Sequence, residues 1–152
     1  MLRNILLLLT LLTIIFIKIT WASTLVSGYL KSSDEAEIKN IVISAIEDTS
    51  WFQASTRQEV RKLLAVYYGE PLLSELSGSV WKFICVPTDW HYETRSGRLT
   101  ILELTGNQAE LQVEIVETEA LSGSSIVSNV KYLLAKSDHK WKIVGINPGS
   151  AP

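Results

Sequence analysis

The sequence predicts an α+β domain, in which helices pack on an antiparallel sheet, with a hydrophobic segment ahead of both. Three observations predict it. Residues 1–30 hold 20 hydrophobic residues and only two charges, Arg3 and Lys18. From there to about residue 78 apolar residues recur at helical spacing, and beyond Ser79 they alternate. Helices first and strands afterwards is an α+β order.

The 152 residues suit one domain with its own core. All 16 acids lie beyond residue 30, where 12 basic groups leave a net charge of −4. This composition excludes a disordered tail, a multi-span membrane protein and a basic nucleic-acid binder. A single cysteine, Cys85, excludes an intramolecular disulfide framework and a Cys-pair zinc site. Its expected role is that of a small buried hydrophobe.

Ile5–Ile17 is a 13-residue run broken only by Thr10 and Thr13. That length suits a signal-peptide core better than a full span of roughly 20 residues, and Ala22 offers a small residue for cleavage. The competing reading is an uncleaved anchor that continues past Lys18, with Lys18 and Trp21 at the interface. Both export the rest of the chain. The expected organisation is therefore a signal anchor or signal peptide over 1–30, one domain over 31–147 and a short tail over 148–152.

The elements follow in order. Ser32 with Glu35, or Asp34 with Glu37, has capping spacing, and Ile38, Ile41, Val42, Ala45 and Ile46 give an amphipathic helix to about Asp48. Thr56 with Glu59 opens a second helix with Val60, Leu63, Leu64 and Tyr67 on its apolar face. Gly69 should end it in a left-handed conformation. Pro71 starts a short third helical turn through Leu76, closed by Gly78. A first strand then carries Trp81, Phe83 and Cys85 on one side. Pro87–Gly97 reads as irregular or a short edge strand. Four further strands are Leu99–Thr105, Ala109–Thr118, Ile126–Lys136 and Lys140–Ile146, separated by turn-forming residues. A two-residue loop at Asn107-Gln108 would set Leu104 opposite Leu111 and Leu102 opposite Val113. One at Asp138-His139 would set Leu134 opposite Ile143 and Tyr132 opposite Gly145. Trp141 alternates with Lys140 and Lys142 and is expected in the core beneath the first helix.

The closing segments Leu111-Gln112-Val113-Glu114-Ile115, Val130-Lys131-Tyr132-Leu133-Leu134 and Trp141-Lys142-Ile143-Val144 carry a resemblance. A long strand ending in Tyr-x-Leu, a charged turn and a last strand written Trp-Lys-Ile resemble the nuclear-transport-factor-2-like (cystatin-like) superfamily over residues 33–147. The resemblance implies a cone, with helices packed on a strongly bent antiparallel sheet. It also implies a choice among isomerases and dehydratases, small-ligand binders and membrane-tethered assembly modules. A membrane segment followed directly by one such domain resembles the last group. One departure stands out: Gly69-Glu70-Pro71 leaves no room for the hairpin that many members place between their second and third helices.

Candidate chemistry is sparse. Asp89, His91 and Glu93 alternate in Asp-Trp-His-Tyr-Glu, so an extended chain would put oxygen and imidazole ligands on one face. No second ligand-rich segment joins them, and a solvated loop explains them as well. Tyr67, Tyr68 and Tyr132 could reach a pocket, but no acid matches the carboxylate base that isomerase members use, and such aromatics are more often core. Glu110, Glu114, Glu117, Glu119, Lys131, Lys140 and Lys142 read as the outer face of the sheet, satisfied by cross-strand pairing. A phosphate-cradling Gly-rich loop, a His-Glu-x-x-His helix and a Gly-x-Ser-x-Gly elbow are all missing from the sequence.

The sequence thus points to a non-enzymatic, membrane-associated, extracytoplasmic domain that binds a protein partner or itself. It expects no cofactor, no metal and no nucleic acid. The expected contact surfaces are the loop carrying Trp90 and Tyr92 and the outer sheet around Glu114 and Lys131. The alternative is an exported pocket protein that binds, or less readily isomerises or dehydrates, a small apolar ligand. An open cavity with convergent polar groups favours the alternative, and a sealed interior favours the contact domain.

Overall fold

The computed structural model describes residues 32–87 and 92–148. The chain divides into two compact units, residues 1–36 and 37–152, and the second carries the fold. The apolar run Ile5–Ile17 and the candidate cleavage site at Ala22 lie outside the described residues, as do Asp89, Trp90 and His91. Among the described residues no helix is long and apolar enough to cross a membrane.

The first helix, α1, covers residues 32–47 and is already under way at Ser32, so Asp34 is interior rather than a cap. Ile38, Val42 and Ala45, spaced by four and three residues, form its buried stripe. A short 3-10 turn, Ser50–Gln53, leads into α2, Arg57–Leu64. Thr56 caps α2: its hydroxyl accepts from the Glu59 amide at 3.1 Å, while the Glu59 carboxylate reaches back to the Ser55 amide at 2.8 Å.

The helix stops at Leu64, earlier than the expected Gly69. Tyr67–Gly69 instead lies parallel to the last strand, with the Ile143 amide donating to Tyr67 at 3.0 Å and the Gly69 amide donating to Ile143 at 2.9 Å. Gly69 is not left-handed; its reason is close approach. A Cβ there would sit 3.2 Å from Lys142 Cβ and 3.3 Å from Val144 Cγ1.

The third helix, α3, runs from Leu72 to Ile84, which corrects two expectations. Gly78 does not close it, and the segment around Trp81, Phe83 and Cys85 is helical rather than a strand. Leu73, Leu76, Val80, Trp81 and Ile84 pack against Val60 and Leu64 at helical spacing. That packing outweighs the cost of about 1 kcal/mol for an interior glycine. Cys85 is the C-cap and is exposed, so its expected burial is also wrong.

Four strands, β1 Tyr92–Leu104, β2 Gln108–Glu119, β3 Ser125–Ser137 and β4 Lys140–Pro148, form an antiparallel sheet in the order β1-β2-β3-β4. The edge strand β1 begins seven residues before the expected Leu99, within the stretch read as irregular or a short edge strand. Irregularities after Ser96 and after Ile101 let it follow β2. The turn is Gly106-Asn107, one residue earlier than the expected Asn107-Gln108, so Leu104 pairs with Ala109, and the second irregularity then sets Ile101 opposite Leu111 and Leu99 opposite Val113. Leu102, expected to face Val113, is therefore 47% exposed. The β3–β4 turn is as read: Asp138 and His139 have φ of 50° and 62°, the left-handed pair of a two-residue loop. Leu134 pairs with Ile143, but an irregularity at Leu133 sets Tyr132 opposite Ile146 instead of Gly145.

Two buried clusters result. The larger joins Ile38 and Val42 of α1 to Leu111, Val113, Leu134, Trp141 and Ile143 of the sheet. The smaller joins Val60 and Leu64 of α2 to Leu73 of α3, and Tyr68 borders both. Trp141 is 1% exposed within the larger cluster. Trp141→Ala should destabilise the domain by about 3–5 kcal/mol in denaturant titration, and a loss below about 1 kcal/mol would contradict this placement.

Candidate functional site

A groove of about 830 Å³ opens where the end of α1, the 3-10 turn, α3 and the start of β1 converge. The local sequence builds it. Asp48 ends α1, its carboxylate accepts the Ser50 amide at 2.8 Å, and its carbonyl accepts the Trp51 indole N–H at 2.8 Å. This turn presents Trp51 and Phe52 stacked at 3.9 Å, both leaning towards Phe83 of α3 with centroids 6.3 and 6.0 Å away. Leu64, Tyr68, Leu76 and Val80 supply the apolar lining, and Tyr92–Arg95 forms the opposite lip.

The acids on this rim are already engaged. Glu47 accepts from the Ser96 hydroxyl at 2.6 Å and from the Ser96 amide at 3.2 Å, which ties α1 to β1. These bonds, the hydroxyl's first, hold the Glu47 carboxyl below its usual range. Glu93 pairs with Arg95 at 2.7 Å. The Asp48 carboxylate holds Ser50, and burial, followed by the Asp48 charge, raises the Tyr67 hydroxyl.

The tyrosines are held neutral. Burial, and then the Asp48 charge, push the Tyr68 hydroxyl up to about 12. Burial, and then neighbouring Tyr68, raise Tyr132 as well. Tyr67 meets Tyr68 edge-on, 84° between ring planes. The groove is thus an aromatic and aliphatic surface with neutral phenols and pre-engaged carboxylates. That chemistry suits binding an apolar group better than abstracting a proton.

Tyr92 is exposed and sits on the groove lip. Glu114 and Lys131 are near neighbours across β2 and β3, with Glu114 opposite Asn129 and Lys131 opposite Gln112. Lys131 pairs with Glu110 at 2.8 Å, and the Glu114 carboxylate accepts the Arg98 amide at 3.4 Å. Tyr92, opposite Glu119, lies five rungs along the ladder from Glu114. Trp90 is outside the described residues.

Other anticipated groups have local duties. Lys142, read as an outer-face charge, instead donates to the carbonyls of Ala65 at 2.7 Å and Val66 at 2.6 Å just beyond α2. Burial there, and then Lys140, lower its ammonium pKa. Glu119 accepts from Ser122 and Ser124 in the β2–β3 turn. Among the described residues no three metal-ligating side chains converge. The residues that sequence reasoning missed are Asp48, Trp51 and Phe52. Their signal was the Trp-Phe pair in a polar connection between two helices.

No family model matches the chain, and no curated protein does. Among solved structures it is similar to the intermembrane space region of the chloroplast protein ARC6, at 15% identity over 75% of this chain and 95% of that one, with a TM-score of 0.46. A variant named Rd1NTF2_05 matches at 13% identity over 76% and 99%, TM-score 0.43. A de novo β-sheet design matches at 18% identity over 75% and 94%, TM-score 0.33. These likenesses concern the course of the chain and carry nothing about activity or partner.

The phenols give a pH signature. Tyr68 has a folded value above its unfolded one, so its contribution to stability is complete below pH about 10 and is lost as pH rises through about 12. Tyr68→Phe should flatten this alkaline fall in stability, followed by phenolate absorbance and circular dichroism together. An unchanged alkaline limb would show that Tyr68 is not held neutral by burial.

Proposed function

We propose that this is a non-catalytic contact domain of nuclear-transport-factor-2-like type, exported by its N-terminal apolar segment and held at a membrane. On this reading the domain seats an apolar side chain of a protein partner in the groove beside Trp51. The single observation that carries it is the groove itself: stacked Trp51 and Phe52 over an apolar lining, with rim carboxylates committed to Ser96, Ser50 and Arg95. Trp and Tyr are enriched among the residues that anchor protein interfaces in well-packed pockets. Membrane tethering would raise the effective concentration of a membrane-bound partner.

A second reading is favoured by one specific observation. The groove volume falls within the range of small-molecule pockets, so a small apolar ligand fits the same place.

The two readings separate experimentally. A photo-crosslinking residue at Phe52 in intact cells should yield one discrete protein adduct, whereas the same residue at Thr100 should not. Tyr92→Ala should reduce that adduct about tenfold, the loss expected for an interface anchor. A small molecule that co-purifies with the native chain, with no protein adduct, would select the second reading. If Asp48→Asn abolished function while the fold and the adduct survived, catalysis would replace both. For the address, residues 32–148 should be open to protease added outside the cytoplasmic membrane. Protection in intact spheroplasts would overturn export.

A further inference from the structure

The groove beside Trp51 is charged as well as apolar. Three carboxylates, Glu47, Asp48 and Glu93, and one guanidinium, Arg95, line it together with the aromatic rings, which leaves the lining a net charge of −2. Glu47 takes both Ser96 bonds on one oxygen, Oε1, and Glu93 takes both Arg95 bonds on its own Oε1. Among the described residues the second oxygen of each of these two carboxylates accepts no bond. Glu47 is ionised at neutral pH, because the Ser96 hydroxyl, and then the Ser96 amide, hold its carboxyl below the usual range.

A wholly apolar occupant would strip water from these oxygens and return no hydrogen bond. At about 830 Å³ the groove also has room for more than one side chain. We infer that the partner segment presents an arginine beside its apolar anchor, and that the guanidinium sits between Glu47 and Glu93 against the aromatic rings. This rests on the reading of the groove as a contact site and names the chemistry of what enters it.

The placement of the charges selects the cation. Glu47 stands at the end of α1 and Glu93 on β1, so one occupant must donate towards two elements. A guanidinium carries five N–H donors in a planar fork and stacks on aromatic faces. Phe52 and Tyr92, 38% and 41% exposed, supply open ring surface for it. A lysine ammonium is more strongly hydrated and gives up more on entering an aromatic groove. A quaternary ammonium has no N–H and would leave both oxygens unsatisfied. Arg95 does not fill the role, because its two bonds go to the Glu93 oxygen that is already counted.

The test uses the full-length chain in mild detergent and reads the indole N–H resonance of Trp51, which is fixed by its bond to the Asp48 carbonyl and is assigned by its loss in Trp51→Phe. Acetyl-Leu-Arg-Leu-amide should shift that resonance and saturate. The same peptide with citrulline in place of arginine keeps the shape without the charge, and should bind about tenfold more weakly. Glu47→Gln combined with Glu93→Gln keeps an oxygen for Ser96. It should leave the circular dichroism unchanged and erase the difference between the two peptides. Equal binding of both peptides to the native chain would overturn the arginine and leave the apolar anchor standing. A Trp51 shift produced by phosphocholine and not by the arginine peptide would overturn it too. If neither peptide shifts Trp51 the arginine is likewise overturned, and the Phe52 adduct decides separately whether the groove contacts a partner.

Discussion

The seam between Tyr67–Gly69 and β4 is the constraint on which the rest of the domain depends. The smaller cluster has only Val60, Leu64 and Leu73 fully buried, too little for α2 and α3 to stand as a unit. Backbone bonds on both sides of Ile143 fasten it to the sheet, and the Lys142 ammonium holds the carbonyls of Ala65 and Val66 from the same strand. Tyr68, at the seam, touches both clusters. Gly69 follows from this, because a side chain there would separate the two backbones. The groove is the space left where the two layers diverge.

Around that space the charged groups hold the chain in place. A carboxylate useful as a base needs an unengaged lone pair in an apolar setting. Here Glu47 and Asp48 each use one carboxylate oxygen to fix the chain, one across to β1 and the other on the turn that displays Trp51. The phenols of Tyr68 and Tyr132 remain protonated through the physiological range because burial penalises the phenolate. The groove wall is largely aromatic and aliphatic, with Glu47, Asp48, Glu93 and Arg95 along its rim.

Much of this was legible in the residues themselves. The Thr56–Glu59 cap, the stripe of Ile38, Val42 and Ala45, the Asp138-His139 turn and the burial of Trp141 follow from local chemistry that acts over a few positions. What could not be read depends on distant neighbours. Trp81, Phe83 and Cys85 alternate by accident, and only Val60 and Leu64, some twenty residues earlier, make that segment helical. Gly69 looked like a helix terminator because glycine is cheap in left-handed backbone; its actual reason lies in Lys142 and Val144. The β1–β2 register escaped because the turn falls at Gly106-Asn107 rather than Asn107-Gln108, and because a bulge near Leu102 adds a residue that the hydrophobic pattern does not mark. The groove escaped because Asp48, Trp51 and Phe52 do their work in a connection, where periodicity has nothing to say.

The order of elements also has a bearing on synthesis. Every strand pairs with its neighbour in sequence, so the sheet can grow as the chain emerges. Yet the residues that close the larger cluster, Trp141 and Ile143, and the strand that receives Tyr67–Gly69 all come last. A nascent chain that ends before residue 141 can pair three strands, but Ile38 and Val42 lack Trp141 and Ile143, and α2 and α3 lack the strand that receives Tyr67–Gly69. Closing the larger cluster and docking the helical pair are thus the last steps that the order of elements allows.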